Sequence, residues 1–335
     1  MSRRPSPLEV FGLSPLPLRA REAVLALRGD GQTPKTHFDR TSLKLLKPRL
    51  SLPLWAGLRA RGRLVPIYNL FCRAQPPLEL GWSVKVTQAR DFLGTQLTYD
   101  SHNGTDLAVR PGTTVVAAAP GLVLRVSNEF HRGGLKVFLD HGRGLVTTYN
   151  HLARALVRPG DRVGRGETIA ISGYSGLDGV VTFPWGTPHV HFNVWLDGLY
   201  VDPFAAPGEI PLWRTGNWPT PARSDDRERA FEPTPWDEDA VERGLAACRH
   251  DGARREIAAA PAGFERAAAL LFQTNYFPTR FNERPDLYPS KHTREPWLDL
   301  PFRADDYDGI WFPHGTEPPR QGATQVAPIL GSPTR

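Results

Sequence analysis

Between residues 93 and 204, short β-favouring runs are cut repeatedly by glycine-centred turns, and no other part of the chain restricts its fold so strongly. The runs are Thr113–Ala117, Leu122–Val126, Leu135–Leu139, Leu145–Tyr149, Thr168–Ile171 and Val190–Trp195. Between them stand Pro111-Gly112, Pro120-Gly121, Gly133-Gly134, Gly142-Arg143-Gly144, Pro159-Gly160 and Asp197-Gly198. Branched and aromatic side chains suit a pleated, half-buried surface, while Gly and Pro supply the backbone angles of tight turns. Strands at this spacing predict an all-β sandwich or barrel. The 31 glycines and 33 prolines in 335 residues agree with a strand- and loop-rich molecule and disfavour a helical bundle.

The flanks have a different texture. Residues 1–92 read as an irregular N-terminal arm, with one short helix around Arg19–Leu27 and apolar stretches such as Leu64–Phe71 that suit strands or packing segments. Residues 205–335 read as a Pro- and Trp-rich, partly helical extension. Helices are expected over Asp237–Ala259, where Val241, Leu245, Cys248 and Ala253 share roughly one face, and over Ala262–Gln273. The last residues, Gln321–Arg335, are expected to be a flexible tail.

Composition removes several classes. Cys72 and Cys248 are the only cysteines, too few for a disulfide scaffold or a thiolate zinc ribbon. No apolar run approaches about 18 residues, so no transmembrane helix is expected. Pro5, Pro7, Pro15 and Pro17, with Arg19 and Arg21, interrupt the stretch after Arg3 and Arg4, so no secretion signal is expected and the default location is cytoplasmic. The net charge is +6, but the arginines are scattered, and nucleic acid is not an expected partner.

Six of the ten histidines fall between positions 102 and 191. His189 and His191 are two apart in a strand, so their imidazoles project from one face while Val190 points to the other. Imidazole is the commonest protein metal ligand. In His102-Asn103-Gly104-Thr105-Asp106 a carboxylate four residues after a histidine can bend back, across a glycine turn, onto the same ion. Two histidines and one aspartate make a three-ligand site with a position left open, and that donor set favours zinc. Two further histidines would then remain for proton transfer and for holding a developing oxyanion. His131 and His141 are expected on hairpin turns, as surface or turn histidines, and His37, His250, His292 and His314 have no evident partner. Asn150 is placed either to orient His151 or to make a turn; Tyr149 and Trp185 either pack or line a cleft.

Taken in order, these segments resemble the lysostaphin/LytM-type zinc metallopeptidases, many of which are peptidoglycan endopeptidases. The segments are His102–Ala108, Pro111-Gly112-Thr113, Gly121-Leu122-Val123, Val137–Gly142, Thr148-Tyr149-Asn150-His151-Leu152, Val157–Val163, Gly166–Ile169 and Pro188-His189-Val190-His191-Phe192. The resemblance spans residues 93–204 and implies a mainly β fold, a small antiparallel β-sheet domain of the duplicated hybrid motif type with a groove over one sheet. By position it implies His102, Asp106 and His191 as zinc ligands and His151 and His189 as the catalytic pair. The implied activity is zinc-dependent hydrolysis of peptide bonds, with peptidoglycan cross-links or stem peptides as substrate, in the periplasm or outside the cell. The loop from Gly173 to His189 is longer than usual in the family and carries Phe183-Pro184-Trp185-Gly186.

Two other classes compete. Some relatives lack ligands and regulate cell-wall hydrolases without catalysis; here all five residues are present. Val157–Ile171 is similar to half of a biotinyl or lipoyl carrier domain, yet the nearest downstream lysine is Lys291 and the only methionine is Met1. A sugar-transport phosphocarrier with paired histidines would have no use for Asp106.

Overall fold

In the computed structural model of the chain, residues 3–77, 80–223 and 230–313 are described. Among them the strands are β1 (Leu64–Asn69), β2 (Thr105–Ala108), β3 (Thr114–Val116), β4 (Gly121–Glu129), β5 (Gly134–Asp140), β6 (Leu145–Ala155), β7 (Arg162–Val163), β8 (Thr168–Ser172), β9 (His189–Leu196), β10 (Leu199–Val201) and β11 (Gly309–Trp311). They join in the order β11-β1-β2-β9-β6-β5-β4-β7, with β10 on β9 and β3 reached through β8. Every pairing is antiparallel except β1 with β11, which is parallel and makes the sheet mixed. The fold is mainly β, as the turn spacing predicts.

Strand alternation sorts the side chains onto two faces. From β9, Val190, Phe192 and Val194 enter one core, joined by Leu107, Val137, Leu139 and Tyr149 from neighbouring strands and by Trp213, Leu298, Leu300 and Phe312 from the C-terminal part. Tyr149 is therefore core, its hydroxyl accepting from Ala118 N–H at 2.9 Å, whereas Trp185 is half exposed. On the opposite face Leu122, Leu124, Phe138, Val146 and Trp195 pack beneath three helices, α5 (Glu238–Ala247), α6 (Asp251–Ala259) and α7 (Phe264–Tyr276).

Several expectations change. The single helix over Asp237–Ala259 is two, because Cys248 bridges to Phe281 and Arg249 N–H bonds Arg280 O at 2.7 Å, while His250 restarts the chain by capping α6 at Ala253 N–H. The N-terminal segment carries more helix than expected: α1 (Pro7–Phe11), α2 (Leu16–Arg28) and α3 (Pro48–Trp55), with α4 (Leu177–Thr182) later in the chain. A Ser6/Glu9 capping box starts α1 within a stretch whose prolines suggest irregularity. His141 does stand in the turn between β5 and β6, but it is buried there between Pro120 O and the Thr147 hydroxyl. The His131 side chain is also largely covered, beside Glu22 and Phe277. His292 has a partner in Asp197, 2.7 Å away. His314 and the segment Gln321–Arg335 lie outside the described residues.

Candidate metal centre

One row of residues crosses four strands in register. Asn69 on β1 pairs with Asp106 on β2, Asp106 with His191 on β9, and His191 with Asn150 on β6. Side chains directly opposite one another on adjacent strands sit about 4.5–5.5 Å apart at Cβ, so pairing alone brings Asp106 and His191 together. Asp106 Oδ1 lies 2.7 Å from His191 Nδ1, 3.1 Å from His102 Nε2 and 3.3 Å from His189 Nε2. Its other oxygen, Oδ2, accepts from Asn69 Nδ2 at 2.7 Å. His102 arrives from the turn before β2, which passes so close that a Cβ on Gly104 would stand 2.8 Å from His191 Nε2 and 2.7 Å from Asn193 Nδ2.

Backbone carbonyls orient three of the rings. Nδ1 of His102 faces Leu70 O at 2.5 Å, Nδ1 of His189 faces Thr187 O at 2.7 Å, and Nδ1 of His151 faces Ser175 O at 2.8 Å. A carbonyl can only accept, so each Nδ1 carries a proton, which leaves Nε2 as the atom each ring can offer to a metal or a proton. His191 is turned the other way, with Nδ1 inward and Nε2 between Asn103 Oδ1 at 3.2 Å and Asn193 Nδ2 at 2.8 Å.

His151 reaches this face through a bulge. Leu135 and Val137 on β5 pair with Leu152 and Tyr149 on β6, so β6 holds one extra residue there. Regular alternation from Tyr149 would send His151 into the core; the extra residue, with His151 at φ 60°, turns its ring toward His189, 4.8 Å between centroids. A non-glycine residue in this region is strained and persists where its surroundings hold it. Here Gly133 O accepts from its N–H, and its own O accepts from Gly173 N–H. Asn150 does not orient His151: its Nδ2 donates to His191 O and to Asn193 Oδ1.

The cluster is enclosed. His102, Asp106, His151 and His189 are buried. Tyr99 lies tilted against His102 and Tyr68 against His189, and Tyr174 packs against both His189 and His151. The N-terminal segment packs behind these tyrosines: Leu45 O accepts from the Tyr68 hydroxyl, and Trp55 lies against Tyr174, Phe11 and Phe183. Burial pushes all three tyrosines up, so they stay neutral. Burial alone would raise the Asp106 carboxyl, but the charges and hydrogen bonds of the neighbouring histidines outweigh it and hold it well below the usual range. Burial, then the neighbouring rings of His189 and His191, hold His151 well below the ordinary imidazole value.

The donor atoms of His102, Asp106 and His191 all lie within 4.8 Å of one another. A tetrahedral zinc with bonds of about 2.0–2.1 Å has ligand–ligand edges of about 3.3 Å. The three donors, 2.7–3.1 Å apart, already stand near that spacing. Two imidazoles and one carboxylate fit zinc by donor type and leave a coordination position open. All five residues singled out in the sequence meet here. Sequence reading missed Asn69, Asn193, Tyr68, Tyr174 and Ser175. Only Asn193 had a signal, as the next same-face position after His191.

Residues 100–203 match the model of peptidase family M23. The chain carries an M23 peptidase domain. Over 102 residues this domain is 38% identical to an uncharacterized metalloprotease of Haemophilus influenzae, covering 30% of this chain and 20% of that protein. It is 36% identical over 111 residues to the peptidoglycan DD-endopeptidase ShyA of Vibrio cholerae, covering 33% and 24%. It is also 32% identical over 100 residues to the murein hydrolase activator EnvC of Escherichia coli, covering 30% and 22%. The chain thus spans about a fifth to a quarter of the length of these relatives. The M23 domain accounts for the β-rich third of the chain, and these relatives match it there. Among the described residues no helix is long and apolar enough to cross a membrane.

Proposed function

We propose that the chain is a zinc metalloendopeptidase that hydrolyses peptide bonds in peptidoglycan cross-links or stem peptides. The observation that carries this reading is a three-donor set at near-tetrahedral spacing with two more imidazoles beside it: His189, whose Nε2 lies 3.3 Å from Asp106 Oδ1, and His151, whose ring centroid lies 4.8 Å from that of His189. His102, Asp106 and His191 would hold the metal. Zinc, when bound, supplies Lewis acidity that polarises a scissile carbonyl and acidifies water.

The remaining work belongs to the protein's own groups. His151, kept neutral by burial with Nδ1–H on Ser175 O, accepts a proton at Nε2. His189, fixed by Thr187 O, presents the matching Nε2. Whichever of the two rings then carries a proton on Nε2 donates to the oxyanion or to the leaving amine. The enclosing tyrosines keep the site poor in water and strengthen each of these interactions.

The likeness to EnvC favours a second reading, a non-catalytic regulator of cell-wall hydrolases. Metal content separates the two. Elemental mass spectrometry of the purified chain beside His102→Ala and His191→Ala should find about one zinc per wild-type chain and none in either variant. A wild type that stays metal-free with zinc supplied favours the regulator. With zinc present, His151→Ala should keep the metal and release fragments from purified peptidoglycan about 10²–10⁴-fold more slowly. Normal turnover by that variant overturns the role given to His151.

A further inference from the structure

One face of the sheet carries, in succession, the histidine cluster, a belt of buried polar side chains, and the apolar bed of the C-terminal helices. The belt is Asn103, Thr148, Asn150 and Asn193, all buried. The last residue of α7, Tyr276, reaches into it from the helical side. Its ring is wedged among Phe272, Phe138 and Trp195. Its buried hydroxyl lies 3.1 Å from Asn150 Oδ1 and 3.3 Å from Asn193 Oδ1. Both oxygens only accept, so the tyrosine donates.

Asn193 Oδ1 also accepts from the Thr148 hydroxyl and from Asn150 Nδ2, each at 2.7 Å. The amide has one orientation, because the backbone oxygen of Asn103 on its other side can only accept. Its Nδ2 must then face Asn103 O at 2.8 Å, Asn103 Oδ1 at 3.0 Å and His191 Nε2 at 2.8 Å. The outer edge of His191 has a partner in either tautomer. As a zinc ligand through Nδ1 the ring would carry its proton on Nε2, where Asn103 Oδ1 accepts it, and Asn193 Nδ2 holds that same oxygen at 3.0 Å. Asn150 Nδ2 secures the same residue's carbonyl at 2.9 Å.

We infer that Tyr276 is a positioning residue for the metal centre: through Asn193 and Asn150 the C-terminal extension sets the orientation of His191. The extension is then neither a lid nor a remote appendage but the outer wall of the site. This rests on the reading of His191 as a zinc ligand. Groups that orient ligating histidines typically govern metal affinity by about 10–100-fold, and Tyr276 acts one hydrogen bond further out.

The test is zinc affinity of the full chain by competition with a chromophoric chelator. Tyr276→Phe keeps the ring and removes only the hydroxyl. It should bind zinc about 3- to 10-fold more weakly and alter the visible spectrum of the cobalt-loaded protein; Asn193→Ala should lose about 10–100-fold. Leu271→Ala, in the same helix and buried in the apolar bed, should lower the melting temperature with zinc affinity unchanged. Tyr276→Phe within twofold of wild type, or a loss that merely follows the melting temperature as Leu271→Ala does, overturns the inference while the zinc site stands. A wild type that binds no zinc overturns the metal reading and this inference together.

Discussion

Asp106 serves three imidazoles from one oxygen, and it can do so only while its other oxygen is held. Asn69 supplies that hold. Asn69→Leu fills similar space but leaves a buried carboxylate oxygen without its donor, a loss of roughly 1.5–3 kcal/mol for a charged partner. The carboxylate is then free to turn away from His102 and His191. The expected result is a folded protein whose zinc affinity is about 10–100-fold lower, read by chelator competition. His141 makes a separate prediction. Burial pushes its imidazole down to about 4 from an ordinary 6.5. Between those values the unfolded chain binds a proton that the folded one refuses, so this residue's contribution is present above pH 6.5 and lost as pH falls toward 4. The shift corresponds to about 3 kcal/mol. Denaturant midpoints of wild type and His141→Asn should therefore converge by about that amount between pH 7 and pH 4; a gap independent of pH would refute the burial argument.

At the scale of elements, the site depends on two departures from regular strand geometry. One is the bulge in β6. Up to Asn150 the strand pairs with β9, and from Leu152 it pairs with β8. The extra residue at that change of partner is what delivers His151 to the face that carries His189 and His191. The other is the close passage of the His102–Gly104 turn over β9. A methyl at Gly104 collides with Phe192 O as well as with the His191 and Asn193 side chains. Because backbone cannot retreat as a flexible side chain can, Gly104→Ala should cost roughly 1–3 kcal/mol and dislodge His191. Thermal melts with and without zinc check this: the variant should melt earlier and gain less from added zinc than wild type does.

At the scale of the whole molecule, the M23 domain does not stand on its own surface. Leu122, Leu124, Phe138, Val146 and Trp195 on its outer face are covered by α5–α7. The other core also needs Trp213, Leu298, Leu300, Phe302 and Phe312 from beyond the domain. At about 1.5–3 kcal/mol for each fully buried large apolar side chain, the outer face alone represents on the order of 10 kcal/mol, comparable with the entire stability of a typical domain. A fragment ending after Phe204 should therefore aggregate or bind hydrophobic dyes. A soluble monomeric fragment with a sharp melt would show the extension to be dispensable for folding.

Local chemistry was legible in the sequence, and long-range registration was not. Turn glycines and β-favouring runs announced β3, β4, β5, β6, β8 and β9, because turn angles and the two-residue strand period act over a few residues. The same period put His189 and His191 on one face and Val190 on the other. The splitting of the helix at Cys248–His250 escaped notice, since its cause is a pairing with Arg280 and Phe281 far along the chain. Asn69 meets Asp106 across 37 residues, Asp106 meets His191 across 85, and Tyr276 meets Asn150 across 126. No periodicity reports such meetings. They exist because strand order and register are decided by the packing of the whole sheet. Sequence alone determined which chemical groups were available and which way the strands would present them. Only the tertiary structure decided which buried amides and which tyrosine hold those groups in place.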